Sequence, residues 1–313
     1  MHALAPWLTL LAGFVVLAWS ADRLVQSASG LALHLGLAPV LVGLFIVGFG
    51  TSTPELLVSA LAAVDGEPGL AVGNAVGSNI ANVGLILGLT LAVFPVARQQ
   101  AGHGLMVGLL GAATLLTLLL MGNLALGRIE ALTLLAGLFI SLGWLAYASR
   151  RSAATPTPEP VTPSGGLVRT AIRLLLALVI LLVSARALVW AAVTLAERAG
   201  ISELVIGLSI VAVGTSLPEL ATTLAAARRR ELGLLYGNLI GSNLFNLLAV
   251  LAVAALIHPF ALDAAVLLRD GVIMALLTIP LTLLALGRLP GARALGAGLV
   301  VLYACYQGLL YLY

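Results

Sequence analysis

Two glutamates, Glu55 and Glu219, each stand inside a long apolar stretch of this 313-residue chain. Glu55 ends the run Gly50-Thr51-Ser52-Thr53-Pro54-Glu55, and Glu219 ends Gly214-Thr215-Ser216-Leu217-Pro218-Glu219. On a helix, Ser52 lies three residues and Thr51 four residues before Glu55, so the three share one face. Proline has no N–H and crowds the carbonyl four residues back. Pro54 and Pro218 therefore break their helices near Gly50 and Gly214 and free backbone carbonyls around 48–50 and 212–214. A carboxylate, hydroxyls and freed carbonyls are hard oxygen ligands, suited to Na⁺ or Ca²⁺ and not to zinc or copper.

A second polar run follows each first one. Gly73-Asn74-Ala75-Val76-Gly77-Ser78-Asn79-Ile80-Ala81-Asn82 has its partner in Gly237 to Asn246. Ser78 and Asn82 are four apart and face the same way, adding neutral oxygens. The glycine pairs Gly73/Gly77 and Gly237/Gly241 allow close helix approach. Singly, each feature has an ordinary structural reading: glycines pack helices, hydroxyls bond back to their own helix, and a lone intramembrane Glu makes a structural hydrogen bond. The full constellation, however, occurs twice at one fixed offset. Residues 36–82 match 200–246 at 22 of 47 positions without a gap, with Gly50 opposite Gly214. Shared membrane composition scatters Leu, Ala and Val matches; it does not repeat GTS-PEL and GN--GSN--N. The chain is an internal duplication.

The elements that carry these runs must be membrane helices. The chain is 61% hydrophobic and 9% charged, against about 25% charged in a soluble domain. A spanning helix needs about 20 apolar residues. Ten stretches qualify: 7–33, 37–63, 69–94, 104–121, 129–148, 170–196, 204–227, 232–257, 271–287 and 294–312. The first is read as a retained helix, because it lacks a basic leader region. The fold expected is all-α and polytopic, with ten transmembrane helices as two inverted five-helix repeats. The repeats occupy 1–149 and 169–313, joined by a Pro/Ser/Thr-rich linker at 150–168. Five spans per repeat is odd, so the second repeat enters the membrane inverted and both sites meet near the midplane.

Charge gives orientation and excludes partners. All fifteen basic residues are Arg, with a net charge of +3. They lie between apolar runs and form no basic face for nucleic acid. Arg98, Arg150, Arg151, Arg169, Arg173, Arg228, Arg229, Arg230, Arg288 and Arg293 fall on one side, and Arg128, Arg198 and Arg269 on the other. The richer side is read as cytoplasmic, with both termini outside a multi-pass inner (plasma) membrane protein. Asp22, Arg23 and Arg186 are read as snorkelling or locally paired. His2, His34, His103 and His258 fall near loops and are read as solvated. Cys305 is read as a packing thiol.

GTSTPE with GNAVGSNIAN, and GTSLPE with GNLIGSNLFN, resemble the paired α-repeats of the cation/calcium exchanger superfamily, most of all its prokaryotic sodium/calcium exchangers. The resemblance implies that Glu55 and Glu219 bind Ca²⁺ and share in Na⁺ sites. It implies side-chain oxygens from Thr51, Ser52, Ser78, Thr215, Ser216 and Ser242, carbonyls from Gly48 and Ala212, and Asn82 and Asn246 at the centre. It also implies that the first and sixth helices slide against the other eight. Several family members carry Asp at the position of Asn246; here both central positions are Asn, which leaves two formal negative charges and weighs against potassium co-transport. The expected function is a secondary-active antiporter and not an enzyme, exchanging Na⁺ for Ca²⁺ within the lipid bilayer. No cofactor is expected, and a monomer suffices. A proton-driven cation antiporter on the same scaffold is the nearest alternative. An intramembrane hydrolase is a distant one, since the mid-span residues offer no His or Lys base.

Overall fold

The computed structural model describes residues 4–96, 103–152, 166–200 and 212–310. The helices are α1 (Ala5–Leu35), α2 (Pro39–Thr51), α3 (Thr53–Val64), α4 (Pro68–Val93), α5 (Gly104–Asn123) and α6 (Arg128–Ser152). The second repeat supplies α7 (Leu167–Arg198), α8 (Ala212–Thr215), α9 (Leu217–Arg228), α10 (Leu232–Ile257), α11 (Val266–Ala285) and α12 (Arg293–Leu310). Two short strands, β1 (Ala125–Leu126) and β2 (Phe260–Ala261), pair antiparallel between the repeats.

Eight of these helices are long and apolar enough to span a membrane, and the bent pair α2–α3 makes a ninth among the described residues. The expected span at 204–227 begins in residues outside the described set, and so does most of the 150–168 linker. Arg98 and His2 lie outside it as well.

Burial identifies the centre. In α4 and α10, 72% and 83% of the span is enclosed, against 22–39% in the other single spans. Both central helices carry the glycine- and asparagine-rich runs. In α10 the glycines seat α2. A Cβ on Gly237 would lie 2.3 Å from the Val40 carbonyl oxygen, and one on Gly241 would lie 2.8 Å from the Leu44 oxygen. The equivalent partners of Gly73 and Gly77 would come from 201–211, outside the described residues.

The two longest helices, α1 and α7, pack along each other, where Gly13 leaves room for Leu188. Both are amply exposed on their outer sides, with Trp7, Leu11, Phe14 and Trp190 among the uncovered apolar residues. Such faces suit lipid contact.

Four sequence expectations change. His103 is buried and not solvated: its Nδ1 lies 3.2 Å from the Ala285 carbonyl oxygen, and its ring tilts against Tyr236. His103, at the start of α5, sits against the end of α11, and burial pushes this imidazole below the ordinary histidine range. Cys305 is exposed on α12 and not part of the core. The ninth expected span starts at Val266 and not at residue 271, because Arg269 and Asp270 neutralise each other inside the helix at 2.7 Å. Asp22 pairs with Arg228 and Arg229, more than two hundred residues away, and not locally.

Candidate functional site

The break expected from proline is present in both repeats. Ser52 (φ −83, ψ 7) and Ser216 (φ −88, ψ 6) interrupt the helix with nearly the same dihedrals. Pro54 and Pro218 sit in the first turn of α3 and α9, where a missing N–H costs nothing. The axes of α2 and α3 differ by 42°.

The breaks place the two glutamates across from each other. Ser52 Oγ donates to Glu219 Oε1 at 3.2 Å, and Ser216 Oγ lies 3.5 Å from Glu55 Oε1. Each repeat thus lends its hydroxyl to the other repeat's carboxylate. Both glutamates are 1% exposed. No Arg pairs with either among the described residues. Their remaining oxygens, Glu55 Oε2 and Glu219 Oε2, are buried without a hydrogen-bond partner there.

The Gly48 carbonyl is part of the same cluster. Contrary to the expectation that it is freed, it keeps the Ser52 N–H at 3.1 Å; Ser242 Oγ donates to it at 3.3 Å, and Thr51 Oγ1 lies at 3.3 Å. Ser78, Ser216, Asn82 and Asn246 are buried; Thr215 is half-buried. Ala212 opens α8 at the equivalent of Gly48. The helix widens to π geometry starting at Asn82 and again at Asn246; such turns are frequent at functional sites. Asn82 Oδ1 and Asn246 Oδ1 are buried and unpartnered among the described residues. These four oxygens, with Asn79 Oδ1 beside them, are acceptors, and a buried acceptor left bare is costly.

Four asparagines that the sequence reading quoted but did not assign complete the arrangement. Asn243 Oδ1 accepts from Asn82 Nδ2 at 3.1 Å, and the Asn243 carbonyl accepts from Asn79 Nδ2 at 3.2 Å. Committing the Asn82 amide nitrogen to Asn243 leaves its oxygen bare. Asn74 Nδ2 donates to the Glu55 carbonyl at 2.9 Å and to Ser59 Oγ at 2.8 Å. Asn238 Nδ2 donates to Thr223 Oγ1 at 3.0 Å and its Oδ1 accepts from Thr51 Oγ1 at 3.2 Å. The signal for these residues was their repetition at the common offset: Asn74 with Asn238, Asn79 with Asn243, Ser59 with Thr223.

Among the described residues, no three of His, Cys, Asp and Glu come together. The cluster consists of two carboxylates surrounded by hydroxyl, amide and carbonyl oxygens, a donor set for hard cations.

Known proteins share this architecture. The family model described as sodium/calcium exchanger protein matches twice, over residues 5–147 and 170–312. The chain is 40% identical to the putative antiporter CaxA of Alkalimonas amylolytica, covering 96% of this chain and 97% of that one. It is 30% identical to the sodium/calcium exchanger MaX1 of Methanosarcina acetivorans, covering 82% and 84%. Among solved structures, it is similar to the sodium-calcium exchanger NCX_Mj soaked with Na⁺ and without Ca²⁺, at TM-score 0.84 and 28% identity over 96% of this chain and 97% of that one. With both repeats matched separately and nearly the full length covered, the chain belongs to the sodium/calcium exchanger protein family.

Proposed function

We propose that the chain exchanges Na⁺ for Ca²⁺ across a membrane by alternating access to the site between Glu55 and Glu219. The observation that carries the reading is the crossed pair of carboxylates with four bare, buried acceptor oxygens and no Arg beside them among the described residues. Cation antiport is what the family supports; Na⁺ as the driving ion is the finer proposal.

The chemistry follows from charge and ligand type. Two carboxylates balance one Ca²⁺ or two Na⁺. Ca²⁺ takes roughly six to eight oxygens, and the candidate ligands Glu55, Glu219, Thr51, Ser52, Ser78, Thr215, Ser216, Ser242, Asn82, Asn246 and the carbonyls of Gly48 and Ala212 exceed that number. Both ions draw on the same oxygens, so each excludes the other. An empty site leaves two buried charges opposed only by hydroxyls, which disfavours crossing without cargo. Exclusion and obligatory loading together give exchange and not leak.

The broken helices suit alternation. Irregular backbone at membrane depth is tolerated where it lines a cavity or is enclosed by protein. An open, apolar cleft of about 340 Å³ lies between α1, α7 and the helix ends beside the break at Ser216, lined by Leu10, Phe14, Leu188, Val189 and Leu217. Sliding of α1 and α7 over the central helices would alternate access to the site between the two glutamates. Ten spans, an inner-membrane location and external termini complete the proposal.

Radioactive calcium uptake into Na⁺-loaded proteoliposomes tests it. Uptake that requires internal Na⁺ supports the reading. Uptake driven by a pH gradient without Na⁺ would assign the chain to proton-driven antiport instead. Uptake with neither gradient would make it a passive channel.

A further inference from the structure

The common offset extends beyond the candidate ion site. α1 and α7 each lead into a glycine in the left-handed region, Gly36 (φ 63) and Gly200 (φ 77). The turns that follow α3 and α9 also match. Gly66 (φ 76) corresponds to Arg230 (φ 59). The amides of Glu67 and Glu231 donate to the carbonyls of Ala62 and Ala226 at 2.8 and 2.9 Å. Within these matching frames the charges are exchanged. Asp22 on α1 corresponds to Arg186 on α7, and Arg229 in one turn corresponds to Asp65 in the other.

Only one of the two combinations is made. Asp22 accepts from Arg229 Nε at 2.7 Å and Nη2 at 2.6 Å, and from Arg228 Nη2. There α1 packs against α9. The equivalent helices α7 and α3 make no comparable contact, and both Arg186 and Asp65 are exposed. Among the described residues, the helix contact and ion pair are therefore made at the rim of Arg228 and Arg229 and not at the opposite rim. In an inverted duplication, the second transport state is reached when the two repeats trade conformations. That trade would bring Arg186 to Asp65 and draw Asp22 away from Arg229.

We propose that these are two alternating ion-pair latches, Asp22 with Arg228 and Arg229 at one rim and Arg186 with Asp65 at the other, each forming as the other breaks. The proposal rests on the alternating-access reading above. A solvent-accessible ion pair is weak, which suits a contact broken in every cycle. The made latch has two arginines and the open one a single pair, so removing Asp22 should favour the opposite state.

Cross-linking tests it with Arg186 and Asp65 retained. Trp190 lies one turn beyond Arg186 on the same face of α7, and Val64 precedes Asp65; both are exposed. The variant V64C/W190C is made with Cys305→Ser and treated with a bifunctional maleimide in proteoliposomes. The yield should rise several-fold on adding Asp22→Asn and fall several-fold on adding Asp65→Asn. The swap Asp65→Arg with Arg186→Asp should restore it. A yield indifferent to both Asp22→Asn and Asp65→Asn in folded protein would overturn the latches. So would a loss with Asp65→Asn that the swap does not repair. Counterflow is measured on the same preparations. Absent counterflow with the expected cross-linking pattern would defeat the transport reading and leave the latches standing.

Discussion

Glu219→Gln isolates the role of charge at the candidate site. The amide is nearly isosteric and keeps an oxygen that can accept from Ser52 Oγ, now 3.2 Å away. The fold should survive. What disappears is one of two negative charges, in a position 1% exposed to solvent. Removing one partner of a buried charge pair costs about 3–5 kcal/mol. At about 1.4 kcal/mol per tenfold, Ca²⁺ affinity should drop roughly 100- to 4,000-fold. A monovalent ion feels the same loss of potential with half the charge. Its loss is then about 1.5–2.5 kcal/mol, or roughly 10- to 60-fold. The ratio of Ca²⁺ to Na⁺ affinity must therefore fall along with both affinities. Calorimetric titration of each ion into detergent-purified protein measures this, with thermal unfolding as the control for fold. Equal loss for both ions, or Ca²⁺ binding kept within threefold, would refute direct charge coordination by Glu219.

Three further outcomes are expected. Asn243→Ala should weaken Ca²⁺ transport about as much as Asn82→Ala, and each less than Glu219→Gln, because Asn243 fixes the Asn82 amide and both remove neutral contacts; radioactive calcium flux compares them. Gly237→Ala should destabilise by the upper part of ~1–3 kcal/mol, since its Cβ would meet the Val40 carbonyl oxygen at 2.3 Å. Gly111→Ala, with nothing within 4 Å, should be neutral in the same thermal melt. Cysteines introduced at Arg229 and in the 152–165 segment should react with impermeant maleimide only from the cytoplasmic side, and cysteines near both termini only from outside; a cytoplasmic C-terminus would break the charge-based orientation.

The sequence showed most of what lies on single helices. The breaks at Ser52 and Ser216 follow from Pro54 and Pro218, because proline's effect on its own helix is local. The burial of Glu55 and Glu219 follows from their place within apolar runs. The relation between the repeats was legible only as symmetry. That Ser52 meets Glu219 and not Glu55 depends on how two helices cross, and no spacing within one helix carries that information. The asparagines 74, 79, 238 and 243 stood in plain view in the repeated motif, but polar residues in glycine-rich stretches read equally well as packing. Their hydrogen bonds to Ser59, Asn82 and Thr223 separate the two roles. His103 was misread because a residue beside a loop was taken to be wet; its ring lies against Tyr236 and the end of α11. Asp22 was misread because its partners lie in the other repeat.

Departures from internal symmetry point to the moving parts. Where the repeats agree, as in the Ser52 and Ser216 breaks, the π turns at Asn82 and Asn246, and the glycines 36 and 200, the two halves are built alike. Where they differ, matching sequence has been given two arrangements. The contact of α1 with α9 has no comparable match between α7 and α3. A duplicated chain that held one rigid conformation would gain by making each favourable contact twice. Leaving Arg186 and Asp65 apart while Asp22 and Arg229 meet forgoes one such contact. That asymmetry is costly for a static scaffold and necessary for a carrier, because a site open to both rims at once would dissipate the gradient that drives it.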